Sequence, residues 1–323
     1  MNMLSLFPLI PLVMMLGLWL SKSTRQIHAV MATGSAALLV LAVVLVVRFL
    51  GLREAGETAA MLFTDSHVWY APLNIHYAVG VDGISVAMLL LSAIIVFTGT
   101  FASWQMKTDV KAYFLWFCLL SVGVFGFFVS VDLFTMFMFY EVALIPMYLL
   151  IGVWGSGRKE YAAMKLTLML MGGSALLLIG ILGIYFGSGA TTMNVLEIAQ
   201  LHNIPVAQQR IWFPLVFVGF GILGALFPFH TWVPDAYAYS TPTSAAVLSS
   251  LVSKGYIFLL MKIMYRVIGL DVIVSTGIQD VLFVFALVGM VMGSISAIRQ
   301  TDIRRMIAFS SVAQIGYVFM GIG

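Results

Sequence analysis

VGFGILGALFPFHTWVPDAYAYSTPTSAAVLSSLVSKGYIFLLMKIMYRV, residues 218–267, decides the fold. The stretch is apolar enough to sit in a bilayer, yet it carries His230, Asp235 and Lys254, and prolines at 228, 234 and 242. A proline in a lipid-embedded helix frees backbone groups that protein or water must then satisfy. Pro228 and Pro234 therefore predict a discontinuous helix within 212–240, broken near Phe227–Pro234. A Lys in the middle of an apolar helix costs roughly 2.5–3.5 kcal/mol on insertion scales. A broken helix followed by a helix with a central Lys is hard to explain as scaffold and points to an ion path through a membrane.

Composition agrees. The chain has 323 residues, of which 62% are hydrophobic and 9% charged, against about 25% charged in a soluble domain. This predicts an all-α polytopic membrane protein with little mass outside the bilayer. A net charge of only +3 gives no sign of a nucleic-acid partner. The single cysteine, Cys118, excludes an intrachain disulfide, a Cys-ligated cluster and a thiol redox pair. No Gly-rich phosphate loop and no His pair at metal spacing stands out, so no cofactor and no metal are expected in this chain. The start, MNMLSLFPLIPLVMMLGLWLS, lacks the basic residues and cleavage site of a signal peptide and reads as a first span.

With about 20 apolar residues needed per crossing, ten spans emerge: 4–20, 27–47, 83–103, 112–130, 133–154, 163–187, 212–233 with its break, 244–267, 278–298 and 303–322. Residues 48–81 contain an alternating part that reads as a hairpin on one membrane face. Residues 188–211 read as a short surface helix around MNVLEIAQL. With the N-terminus outside, loop Lys and Arg residues fall mainly inside, among them Lys22, Arg25, Lys107, Lys111, Arg158, Lys159 and Arg305.

Glu141 lies about nine residues into the fifth span, with Pro146 following. A carboxyl at that depth must be neutral, paired or hydrated. It suits proton carrying or field setting, and equally an interhelical hydrogen bond. Lys254 is near mid-span, where burial favours proton exchange and snorkelling is weak. His230, beside the break, can titrate or bind freed backbone groups. Asp235 can cap a helix or pair with a basic neighbour, and Asp132 can cap the fifth span. Gln314, with Ser310 and Ser311, can hold water or glue helices. Lys165 can face the interior or anchor at the membrane edge. Lys262, Arg266, Arg304 and Arg305 read as interfacial anchors.

Three segments carry a family resemblance: DLFTMFMFYEVALIPMYLLIGVWG at 132–155, FPFHTWVPDAY with TPTSAAVLSSLVSKGY at 227–256, and RQTDIRRMIAFSSVAQIGY at 299–317. In this order they resemble the antiporter-like subunits of respiratory complex I, above all subunit M of NADH–quinone oxidoreductase. The D-type subunits of multisubunit cation/proton antiporters and the related subunits of membrane-bound hydrogenases are similar. The resemblance implies two inverted five-helix repeats, each with one broken helix. On that scheme 1–111 holds three N-terminal helices, 112–267 the first repeat and 278–323 the start of a second, truncated repeat. Glu141 then matches a fifth-helix glutamate that modulates an adjacent lysine, and Lys254 an eighth-helix lysine of the central polar axis. This chain departs from the pattern in having Leu223 where the family commonly has that adjacent lysine, and Tyr237 and Gln314 where many members have His. The resemblance implies a proton-translocating subunit, without a redox centre, of a complex I-type translocase in a bacterial or archaeal inner membrane, with other membrane subunits and lipid as partners. A Na⁺/H⁺ antiporter subunit and a non-transporting scaffold are the alternatives.

Overall fold

The structure, a computed structural model, describes residues 2–189, 192–201, 204–268, 273 and 277–322. Ten helices in it are long and apolar enough to cross a membrane, and the chain is a multi-pass membrane protein. The first four are α1 (Leu6–Leu20), α2 (Thr24–Glu54), α3 (Gly83–Ala102) and α4 (Val110–Val129). Next come α5 (Leu133–Gly152), α6 (Lys159–Gly187), a short α7 (Val195–Leu201) and α8 (Val206–Leu223). After a break come α9 (Trp232–Tyr239), α10 (Pro242–Val247) and α11 (Ser253–Lys262), and finally α12 (Ile278–Ile298) and α13 (Ile303–Ile322). A π-helical turn, Leu248–Val252, joins α10 to α11, so these form one span, and a second π-helical stretch, Ile263–Ile268, follows.

Local chemistry sets the helix starts. Ser23 and Gln26 form a capping box on α2, Asp82 caps α3 through Ser85 N, and Asp132 caps α5 through Thr135 N. Thr241 caps α10, with Pro242 in the first turn where its missing N–H is not needed. Predicted and observed spans differ mostly at their ends. The second runs to Glu54, and residues 206–211, expected in a connection, belong to α8.

The predicted hairpin is β1 (Leu62–Tyr70) paired antiparallel with β2 (Ile75–Val81), Asp65 opposite Val79 and His67 opposite Tyr77. It lies on the loop between α4 and α5: Val131 N donates to Ala78 O at 2.9 Å, and Val195 N donates to Val131 O at 3.1 Å. Asp132 is fully buried there and accepts from His76 N at 3.2 Å as well as from Thr135 N at 2.9 Å. Burial pushes its carboxyl above the usual range, against the pull of those donors.

The break in the seventh span differs from the prolines' forecast. Helix α8 stops at Leu223, Ala225 takes a left-handed φ of 60°, and a 3-10 turn at Phe229–Thr231 leads into α9. Pro228 lies inside the break. Pro234 does not break the chain, because it sits in the first turn of α9, where no helical N–H is required. Small residues bring the helices close elsewhere. A Cβ on Gly123 of α4 would lie 2.7 Å from Phe139 O of α5, and one on Gly219 of α8 would lie 2.9 Å from Gly173 O of α6. These contacts set α4 tightly against α5, and α6 tightly against α8.

Candidate functional site

Glu141 lies midway along α5, with its Oε1 buried and unbonded. The polar group beside it is the Ser174 hydroxyl of α6, which itself donates to Met171 O at 3.0 Å. One residue back along α6, Gly173 packs against Ile222 and Leu223 of α8, and Leu223 is fully buried. An apolar side chain thus fills the place where the resemblance leads one to expect an ammonium partner.

Lys254 is the second residue of α11, and its Nζ donates to Ser249 O in the π-turn. A π-turn shifts hydrogen bonding from i+4 to i+5 and often marks a functional site. Here it presents a backbone carbonyl to a lysine that would otherwise be bare. Ser249 also lines a cavity of about 270 Å³, together with Tyr237, Ser240 and Arg304. That cavity reaches from the lysine's acceptor to the first turn of α13. Among the described residues, no ion pair or hydrogen bond joins Glu141 to Lys254.

The remaining candidates gather at the break. Lys165 of α6 donates to Asp235 of α9 at 2.7 Å, and Arg305 of α13 meets the other carboxylate oxygen at 3.0 Å. Arg305 also reaches the Tyr239 hydroxyl at 3.2 Å. Lys165 therefore faces a partner, and Arg305, expected as a plain anchor, joins α13 to the second half of the broken helix. His230 sits in the 3-10 turn within the field of Lys165, stacked on Phe227 at 5.6 Å, its Nδ1 buried and unbonded. Gln314 joins none of these. The buried stripe of α13 runs through Ala308, Val312, Ile315 and Phe319, and Gln314 falls outside it on the exposed side.

Three groups escaped the sequence reading. Tyr140 and Tyr256 meet edge to face with ring centroids 4.9 Å apart, both buried. Tyr237 has its hydroxyl buried near Ser253 and Ser311. Lys262, expected at the interface, is only 4% exposed: its Nζ lies 3.3 Å from Ser85 Oγ, 4.0 Å from Asp82 and 4.2 Å from the centre of the Phe258 ring. The side chain of Arg266 lies outside the described residues. A Lys eight residues past a central Lys signals nothing in sequence about the helix it will meet.

Residues 130–323 match the family described as NADH:quinone oxidoreductase/Mrp antiporter, TM. The chain belongs to this family. It is 32% identical over 270 residues to a NADH-ubiquinone oxidoreductase chain 4 of Chondrus crispus, covering 82% of this chain and 53% of that one. It is 31% identical over 274 residues to a NADH-quinone oxidoreductase subunit M of Rhodobacter capsulatus, covering 81% and 52%. The chain thus spans about half the length of these curated relatives. A chain in the structure of a membrane-bound sulfane sulfur reductase, an archaeal respiratory membrane complex, shares the fold with a TM-score of 0.85 at 24% identity, covering 99% of this chain and 64% of that one. The fold is that of the antiporter-like subunits.

Proposed function

We propose that this chain is a proton-translocating, antiporter-like subunit of a respiratory complex of the NADH–quinone oxidoreductase type, in a bacterial or archaeal inner membrane. The observation that carries the reading is Glu141: a mid-membrane carboxyl with a buried oxygen that has no hydrogen-bond partner among the described residues. A scaffold gains nothing from such a group, whereas a carrier needs one that can be loaded and emptied. On this reading 112–267 acts as the transporting repeat. Protons reach Lys254 by way of the cavity beside Ser249, with His230, Lys165 and Asp235 shaping the local field. Electron transfer takes place in other subunits, and its effect here is to change the field at Glu141 and Lys254.

The test uses inverted membrane vesicles holding the assembled complex and a pH-sensitive dye. Glu141→Gln keeps shape and removes the ionisable group. NADH-driven acidification per assembled complex should fall at least about tenfold, the scale on which a positioned proton-transfer group acts. Loss of Na⁺-induced proton release instead would favour the cation/proton antiporter reading. Unchanged acidification and unchanged Na⁺ response would leave a scaffold.

A further inference from the structure

Three buried polar atoms without a hydrogen-bond partner among the described residues, Glu141 Oε1, Tyr140 Oη and Tyr237 Oη, lie on α5 and α9. Buried hydroxyls seldom go unsatisfied, and such groups commonly hold internal water. Their neighbours connect them. Tyr140 and Tyr256 meet edge to face with ring centroids 4.9 Å apart, and Glu141 is the next residue after Tyr140 on α5. Tyr256 stands three residues beyond Ser253 on α11, a spacing that puts both on one helix face. Ser253 is fully buried and, with Ser311 of α13, lies against the Tyr237 hydroxyl. A cavity of about 30 Å³ lies against Tyr140, Leu251, Val252, Gly255 and Tyr256. That is room for one or two waters beside the two phenols, since one water needs roughly 10–15 Å³ by this measure.

We propose that Tyr140, Tyr256, Ser253, Tyr237 and Ser311 form a hydroxyl track that carries protons sideways from Glu141, across α11, to α13. The inference rests on the proposed function and names the leg of it that joins Glu141 to Tyr237, which lines the cavity beside Ser249, so the track runs in series with Lys254. On a helix, positions two apart face different ways, so Tyr256 and Lys254 leave α11 in different directions. Each step exchanges one proton for another. The Glu141 O–H breaks as a proton reaches the Tyr140 oxygen or the water beside it. The O–H already on that oxygen passes its proton to the next, and the last proton leaves on water beside Ser311. Every hydroxyl ends neutral, and Glu141 ends as carboxylate, ready to reload. No tyrosine radical or free tyrosinate is needed. Leu223 makes the route useful, because the α8 position near Gly173 offers no charged group to which Glu141 could pass a proton.

Tyr256→Phe and Tyr237→Phe keep the rings and remove only the hydroxyls, and Ser311→Ala makes the smallest cut, at a half-buried position. In vesicles driven by NADH, and normalised to assembled complex, each Phe variant should lose at least about tenfold of its acidification rate. Ser311→Ala provides a reading even where a tyrosine change lowers assembly. Tyr256→Phe combined with Ser311→Ala should be no worse than the poorer single change, because the two groups act in series on one path. Packing defects on separate helices would add instead. Glu141→Gln runs beside them. Wild-type acidification in both Phe variants, with loss in Glu141→Gln, overturns the track and leaves the proposed function standing. Multiplied losses in the double variant also overturn it. Wild-type acidification in Glu141→Gln overturns the proposed function, and the track that starts at that carboxyl falls with it.

Discussion

The middle and the end of the span formed by α10 and α11 hold one lysine each, and the two are treated differently. Lys254 has its head on a single backbone carbonyl exposed by a π-turn, next to a cavity large enough for water. Lys262 is buried against a carboxylate, a hydroxyl and an aromatic face. Both carry the same cost of taking an ammonium out of water. At Lys262 the surroundings return that cost through charge, hydrogen bonding and cation–π contact. At Lys254 they hardly do. A group left under-compensated in the middle of a membrane can change its protonation state, whereas a compensated one is held in a single state. The first suits transport and the second suits joining helices, here α11 to the N-terminus of α3.

Lys254→Met tests that contrast hardest. Met keeps much of the stem and removes the charge, so the insertion cost of roughly 2.5–3.5 kcal/mol disappears. Assembly should be normal or improved, while acidification per assembled complex drops at least about tenfold. Both are read from one vesicle preparation, by immunoblot and dye. Wild-type acidification by this variant would show that Lys254 takes no part in moving protons. Combined with failure of Tyr256→Phe, it would leave the hydroxyl track as the main route.

Lys262→Met should show the opposite signs. Removing one member of a buried pair costs about 3–5 kcal/mol where burial is complete. Asp82 is 13% exposed and 4.0 Å away, so roughly half of that is expected here. The amount of assembled complex should fall, while acidification per surviving complex stays near wild type. Equal losses in the two measures would erase the distinction between the lysines.

Much of this was legible in the sequence, and the misses have physical causes. Ten apolar runs announce ten spans because the bilayer imposes length and composition on each one separately. Asp132 announces its cap because capping is local. The break was visible through Pro228, but its first residues were not. The backbone turns at Gly224 and Ala225, while Pro234 is absorbed by a first helical turn. Lys262 resembled a snorkelling residue because its partners Asp82 and Ser85 lie far away in sequence, at the start of α3. Arg305 resembled a loop anchor for the same reason: its carboxylate, Asp235, comes from α9. Tyr140 and Tyr256 were lost among the chain's many aromatic residues, and Tyr237 was marked only as standing where many family members have His. A hydroxyl in an apolar run gives no signal until packing shows what it faces. Local physics was readable, and pairing across helices was not.

The finest test separates the Asp82–Lys262 attraction from mere volume. Asp82 has two tasks: Oδ1 caps α3 through Ser85 N at 2.8 Å, and Oδ2 faces Lys262. Asn is also a good cap residue, so Asp82→Asn keeps the first task and cancels the charge. Alone, it removes the Asp82 charge that faces the Lys262 ammonium and should lower stability. Combined with Lys262→Met, it also removes the carboxylate charge that Lys262 faces. The double variant should therefore be more stable than Lys262→Met alone, with a coupling of about 1 kcal/mol between two groups in contact. The readout is the temperature at which half of the solubilised complex is lost from a native gel, compared across wild type, both singles and the double. A double variant as weak as the sum of its singles would mean that Lys262 matters only for the space it fills against Phe258. The end of that span would then differ from its middle in packing rather than in charge.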